Sequence, residues 1–229
     1  MVNLIDYGFK TENRTYIIAE IGINHRGDIE VAKELITSAV RAGVDAVKFQ
    51  TYLTEQRAPK GNDEVFKILK DLELPFEAFK ELKDYASQYD VDFFSTAFDK
   101  ESVDYLESID MDLYKVSSFD IVNHKLLRAV SKTGKPVILS VGMSNLDEIK
   151  DAYNILSEGT KNIAILHCIS SYPTKEEDAQ LSNIFKLQKE FDCVIGQSDH
   201  TNDIQVPLYA AAAGAQIIEK HYKIDEDFD

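Results

Sequence analysis

Two lysines interrupt runs that are otherwise apolar and β-prone, Lys48 in VDAVKFQ and Lys115 in DLYKVSS. An ammonium buried in such a run is costly unless an anion meets it, so each lysine calls for a protein carboxylate or an anionic ligand. Glu20 and Gln50 stand at the ends of similar runs, as do the hydroxyls of Thr96, Ser118, Ser140 and Ser198. Such hydroxyls are the donors that a bound phosphate or carboxylate needs. Singly, each is an ordinary strand-end hydroxyl, and Glu20 is the carboxylate that would turn Lys48 into a structural ion pair. Two lysines and several hydroxyls at one end of the strands favour the ligand.

His200 in QSDHT and His221 in IEKH follow two consecutive runs. Neighbouring strands of a parallel sheet lie only ~5 Å apart, so both imidazoles can reach one metal, with core packing as the alternative. By strand parity Lys48 shares a face with Gln50, and Glu219 shares one with His221, while Lys220 points the other way. A two-histidine site would stay open to water and substrate, and Mn, Mg, Co and Zn all tolerate two imidazoles with oxygen ligands. Of the remaining histidines, His25 in GINHRGD is placed to touch a substrate. His124 starts a helix as a surface or capping residue, and His167 reads as structural. Cys168 and Cys193 lack CxxC spacing and read as buried free thiols.

These residues need a scaffold that brings strand ends together. Eight runs qualify as strands: 15–20, 44–50, 91–96, 112–118, 136–141, 162–168, 193–198 and 215–221. Helical segments fill the gaps, their apolar residues recurring at three and four, as in Val31, Leu35, Val40 and in Leu146, Ile149, Tyr153, Leu156. Asn145 is placed to cap the latter segment, with Asp147 and Glu148 in its first turn. Strands alternating with helices predict an α/β protein. Eight of them without a GxGxxG after the first favour a (β/α)8 TIM barrel over an open doubly wound sheet. The long gap after the second strand holds TYLTEQRAPKGNDE, which reads as an active-site loop or lid, or else a plain surface insertion. No linker divides the chain, so residues 1–229 read as one barrel domain with a short N-terminal extension over 1–14. The sequence stops before a last helix that would follow the eighth strand.

Forty acidic against 25 basic residues give a net charge of −15. That disfavours nucleic acid and anionic membrane surfaces as partners. No stretch approaches a membrane span, and the N-terminus lacks the basic start and apolar run of a signal peptide, so the reading is cytoplasmic.

The segments AEIGINHRGD, AVKFQT, STAFD, YKVSS, ILSVGM, LHCISSYP, GQSDHT and GAQIIEKH resemble those of the sialic acid synthase family, in the same order and at comparable spacing over nearly the whole chain. The resemblance implies condensation of phosphoenolpyruvate with N-acetylmannosamine or a 2,4-diacetamido trideoxy hexose, yielding a nine-carbon 2-keto sugar acid and phosphate. It implies a divalent metal (Mn, Mg or Co) on His200 and His221, and a phosphoenolpyruvate site of Lys48, Lys115, Ser118, Ser140 and Ser198. It further implies Glu20 as the acid/base, and Tyr172, Glu219, Ser170, Thr96 and Gln50 around the substrates. Ser170, where many members carry Asn, and Ser118-Phe119-Asp120 in place of Ser-Gly-Glu are similar to the pseudaminic and legionaminic acid branch. Family members continue into an antifreeze-like domain that places an arginine in the partner subunit's active site. That domain is absent from this sequence, so the expectation is a homodimer whose missing part is truncated or supplied by a separate antifreeze-like polypeptide. Two other readings compete: a Schiff-base aldolase using Lys115 or Lys48 on a 2-keto acid, and a non-catalytic ligand-binding barrel.

Overall fold

In the computed structural model, residues 14–58, 61 and 63–225 are described. The extension expected over 1–14 therefore lies, but for Arg14, outside the described residues. Eight strands run as expected: β1 Tyr16–Glu20, β2 Ala46–Thr51, β3 Asp92–Ala97, β4 Tyr114–Val116, β5 Val137–Ser140, β6 Ile163–Cys168, β7 Val194–Asp199 and β8 Ile217–His221. They pair in parallel and in chain order, and β8 returns to β1, so the sheet closes into a (β/α)8 barrel. Only β4 is clearly shorter than its sequence run, because the chain leaves Ser117 into a 3-10 turn over Ser118–Asp120.

Around the barrel lie α1 Ile29–Ala42, α2 Thr54–Arg57, α3 Asp63–Leu72, α4 Phe76–Ala86, α5 Lys100–Ser108, α6 His124–Lys132, α7 Leu146–Ser157, α8 Ser182–Glu190 and α9 Gln205–Ala212. The insertion after β2 supplies α2 and α3 in addition to the helix α4 that precedes β3. Local chemistry sets the ends. Asp28 caps α1 by accepting from the Glu30 and Val31 amides, and Gly43 ends it at φ 82°, a left-handed conformation that suits glycine. Asn145 caps α7 as expected, in a reciprocal box with Glu148. Ile149 and Leu156 bury the inner face of α7, but Leu146, counted with them by periodicity, is exposed because it lies in the first turn, at the rim. Among the described residues no helix is long and apolar enough to cross a membrane.

Inside the barrel the strands alternate by parity. Ile18, Phe94, Ile138, Leu166 and Ile217 form an apolar layer, all but closed to water. Gly196 belongs to that layer. A Cβ there would stand 2.4 Å from the Ile217 carbonyl oxygen and 2.7 Å from the Leu166 side chain, so neighbouring strands fill the space a side chain would need. Above this layer, at the C-terminal ends of the strands, the interior turns polar.

Candidate active site

Register carries the polar layer around the barrel: Glu20 lies opposite both Lys48 and His221, Thr96 opposite Gln50 and Lys115, and Ser198 opposite Glu219. These residues floor a cavity of about 810 Å³ at the barrel mouth. Every residue that the family resemblance implies as catalytic, substrate-binding or metal-ligating lines it, Ser118, Ser140, Ser170, Tyr172 and His200 included.

The floor is an ion cluster. Lys48 pairs with Glu20 and lies 3.7 Å from Glu219, which in turn stands 3.3 Å from Lys115. Hydroxyls surround it: Lys48 Nζ donates to Thr96 Oγ1 at 2.9 Å, Lys115 Nζ to Ser140 Oγ at 2.7 Å, and Ser198 Oγ to Glu219 Oε1 at 2.8 Å. The two lysines are thus paired with protein carboxylates, the ion-pair alternative of the sequence reading. Yet Thr96 and Ser140 accept from the lysines and keep their own protons to donate. Of the buried carboxylate oxygens, Glu20 Oε2 meets the Lys48 ammonium, while Glu219 Oε2 accepts no hydrogen bond and has Lys48 no nearer than 3.7 Å. Ser118 has a framework bond as well, its Oγ accepting from the Gly142 amide at 3.0 Å.

Charge and burial pull the titrating groups apart. Burial works against the Lys48 ammonium, but Glu20 and Glu219 outweigh it and raise the pKa. Burial wins at Lys115, which is lowered despite Glu219, with Lys48 adding to the fall. Burial would raise Glu219, yet Lys115 and Lys48 hold it down at about 2, so it stays a carboxylate.

His200 and His221 face each other across the rim, ring centroids 5.6 Å apart, with Tyr172 4.0 Å from the His200 ring. The His200 Nδ1 lies 2.8 Å from the Ile169 carbonyl oxygen, which can only accept. Nδ1 therefore carries a proton, and in the neutral ring Nε2 keeps the lone pair that a metal ligand requires. Burial works against the His200 imidazolium, but Cys168 and the Ile169 carbonyl outweigh it and raise the pKa, whereas burial lowers the pKa of His221 and favours its neutral ring. The donor set suits a divalent cation in an open site. Among the described residues no group of three His, Cys, Asp or Glu converges on one point, so the remaining positions would fall to water or substrate.

One expectation is corrected. His25 does not line the cavity: it is buried, stacks on Phe49 at 6.2 Å and accepts from the Gly27 amide at Nδ1, while burial lowers its pKa to about 4. The turn after β1 folds its side chain back into the core. His124 pairs with Asp151 at the surface, and His167 bonds to the Ala179 carbonyl behind the barrel wall.

Among the cavity residues that the sequence reading gave no role in the site, Cys168 and Arg57 stand out. Cys168 is free and buried as expected, but it faces the cavity with Sγ 3.8 Å from His200 Nδ1. Its place at the end of β6 was the available signal. Arg57, on α2, enters from the insertion and donates to Gln50 at 3.1 Å, so that segment does reach the site. Nothing in its spacing marks it.

The NeuB family model matches residues 35–229. An uncharacterized protein of Methanocaldococcus jannaschii is 45% identical over 216 residues, covering 94% of this chain and 64% of that protein. The N,N'-diacetyllegionaminic acid synthase of Campylobacter jejuni is 40% identical over 230 residues, covering 93% of this chain and 69% of that one. Among solved structures, the N-acetylneuraminic acid synthetase of Leptospira borgpetersenii, in complex with citrate, superposes with a TM-score of 0.90 at 40% identity, covering 93% of this chain and 74% of that one. The chain spans about two thirds of the length of the curated relatives it matches.

Proposed function

Because the chain belongs to the NeuB family, we propose that it condenses phosphoenolpyruvate with an N-acetylated amino sugar, releasing phosphate and a nine-carbon 2-keto sugar acid. One observation carries the reading: the lysines, carboxylates and hydroxyls of the barrel end converge on a single cavity, beneath two histidines. The resemblance of the sequence to legionaminic acid synthases favours a 2,4-diacetamido trideoxy hexose over N-acetylmannosamine as acceptor. A homodimer belongs to the same reading.

In this mechanism Lys48 and Lys115 hold the phosphate and carboxylate of phosphoenolpyruvate, with the free hydroxyl protons of Thr96 and Ser140 donating to the same oxygens. The methylene carbon of phosphoenolpyruvate attacks the aldehyde carbon of the open-chain sugar, and positive charge develops at the enol carbon. Glu219 and Glu20 face that charge from the floor and stabilise it. Water adds there, Glu20 takes its proton and passes it to the alkoxide formed from the aldehyde, and the C–O bond to phosphate then breaks as the new hydroxyl becomes the ketone and its proton leaves with the phosphate. Tyr172, Ser170 and the open oxygen of Glu219 serve the sugar hydroxyls.

The floor holds two ammonium groups against two carboxylates. An anionic substrate arriving there needs further positive charge, and a divalent cation on His200 and His221 is the natural source. Bound there, such a cation would polarise the aldehyde oxygen as a Lewis acid. Mn, Mg and Co are the candidates.

The test is phosphate release from phosphoenolpyruvate with each sugar, with Mn and after EDTA. Metal-dependent release with one sugar supports the reading and identifies the acceptor. Phosphoenolpyruvate binding without release for any sugar points instead to a ligand-binding barrel. The lowered pKa of Lys115 favours a second reading, because a desolvated amine suits Schiff-base chemistry. Borohydride trapping with pyruvate decides it: a covalent adduct on Lys115 would replace the synthase by an aldolase.

A further inference from the structure

A line of polar contacts runs from the insertion after β2 down to the barrel floor. Arg57 Nη1 donates to Gln50 Oε1 at 3.1 Å, Gln50 Nε2 donates to Glu20 Oε1 at 2.7 Å, and Glu20 pairs with Lys48. The two amide bonds admit one orientation of Gln50. Flipped, the amide would set its oxygen against the Glu20 carboxylate and its N–H groups against the guanidinium, repulsive at both ends.

Arg57 is itself held in place. Its guanidinium lies 4.0 Å from the Phe98 ring centroid and 4.6 Å from that of Tyr52. The start of α2 is pinned by two carboxylates, Asp99 accepting from the Leu53 amide and Glu73 from the Thr54 amide, each at 2.8 Å. Among the described residues no carboxylate lies within ion-pair distance of Arg57, and Gln50 is the side chain it hydrogen-bonds. Among the described residues its one side-chain hydrogen bond therefore leads, through Gln50, to Glu20.

We propose that Arg57 is a positioning residue: from the insertion it fixes the amide of Gln50, and through that amide the orientation of the Glu20 carboxylate. The inference rests on the reading of Glu20 as the group that takes the proton. It couples the placement of α2 to the chemistry at the floor, so that Glu20 is aligned only while the insertion is seated.

The experiment compares Arg57→Met, Arg57→Lys, Gln50→Leu and the Arg57→Met/Gln50→Leu double variant. Each of Arg57→Met and Gln50→Leu is expected to lower kcat by about ten- to a hundredfold, since small misplacements of a reacting group cost that much. KM for phosphoenolpyruvate should stay unchanged. The double variant should be no worse than the poorer single, because both act in one chain of contacts. Arg57→Lys, which keeps a donor but not the flat guanidinium, should recover part of the loss. A readout independent of turnover is the carboxyl 13C resonance of Glu20, assigned by its disappearance in Glu20→Gln, which should move in Arg57→Met. Additive losses in the double variant, or an unmoved Glu20 resonance in a folded Arg57→Met protein, would overturn the proposal. A wild-type chain without turnover whose Glu20 resonance still responds to Arg57→Met would keep the positioning role and sink the synthase reading alone.

Discussion

The carboxylate of Glu219 stands 3.3 Å from the ammonium of Lys115, and both side chains are buried at the floor of the cavity. With Lys48 at 3.7 Å from the same carboxylate, one acid serves two buried bases. The floor of the barrel tolerates two lysines because this carboxylate and that of Glu20 balance them.

Removing one member of a buried ion cluster leaves an uncompensated charge, which costs more than the pair is worth when intact. Glu219→Gln is expected to destabilise the fold by about 3–5 kcal/mol, read from urea unfolding at neutral pH. A loss below about 1 kcal/mol would mean that water already reaches the lysines.

The same cluster sets an acid limit. Glu219 is held at about 2 in the folded chain, below the ~4.3 of an unfolded glutamate. The unfolded chain therefore binds the extra proton first. The stabilisation is whole above about pH 4.5 and drains away as pH falls towards about 2. Urea midpoints at pH 7, 4.5 and 3 should drop more steeply for the wild type than for Glu219→Gln. Parallel curves would assign the acid sensitivity to other carboxylates.

His200 offers Nε2 because the Ile169 carbonyl claims the proton on Nδ1. His200→Ala should weaken Mn binding by about ten- to a hundredfold or more, measured by calorimetry, while phosphoenolpyruvate binding at the lysines persists. If Mn binding survived unchanged, the ion would be held elsewhere.

Gly196 has no room for a methyl group, since the nearest atom is the backbone oxygen of Ile217. Gly196→Ala should destabilise by about 1–3 kcal/mol or more through overpacking, seen as a lowered Tm. Asn145→Ala, which removes only the cap of α7, sets the comparison at about 1 kcal/mol.

Much of this arrangement is legible in the chain itself. Alternating runs and helical periods announce eight strands in barrel order, and Asn145 announces the start of α7, because these are local patterns whose periods the backbone imposes. Position at strand ends was enough to single out Glu20, Lys48, Gln50, Thr96, Lys115, Ser140 and Ser198, and parity put Lys48 on one face with Gln50 and Glu219 on one with His221. The same argument covered Cys168, whose residue type made it look inert.

What the chain could not reveal are the pairings. Whether Lys48 and Lys115 meet protein carboxylates or a ligand depends on distances across a closed barrel, between residues as far apart in sequence as Glu20 and Glu219. His25 sits in a loop where no period says which way a side chain turns, and only packing against Phe49 sends it inward. Arg57 comes from an insertion with no repeat to register it, and its reach to Gln50 is set by where Asp99 and Glu73 pin α2. The sequence thus determined which side chains stand at the open end of the barrel, because strand period and chain order are local. Only the tertiary structure decided which of them touch, because barrel closure and loop seating bring together groups that no local rule relates.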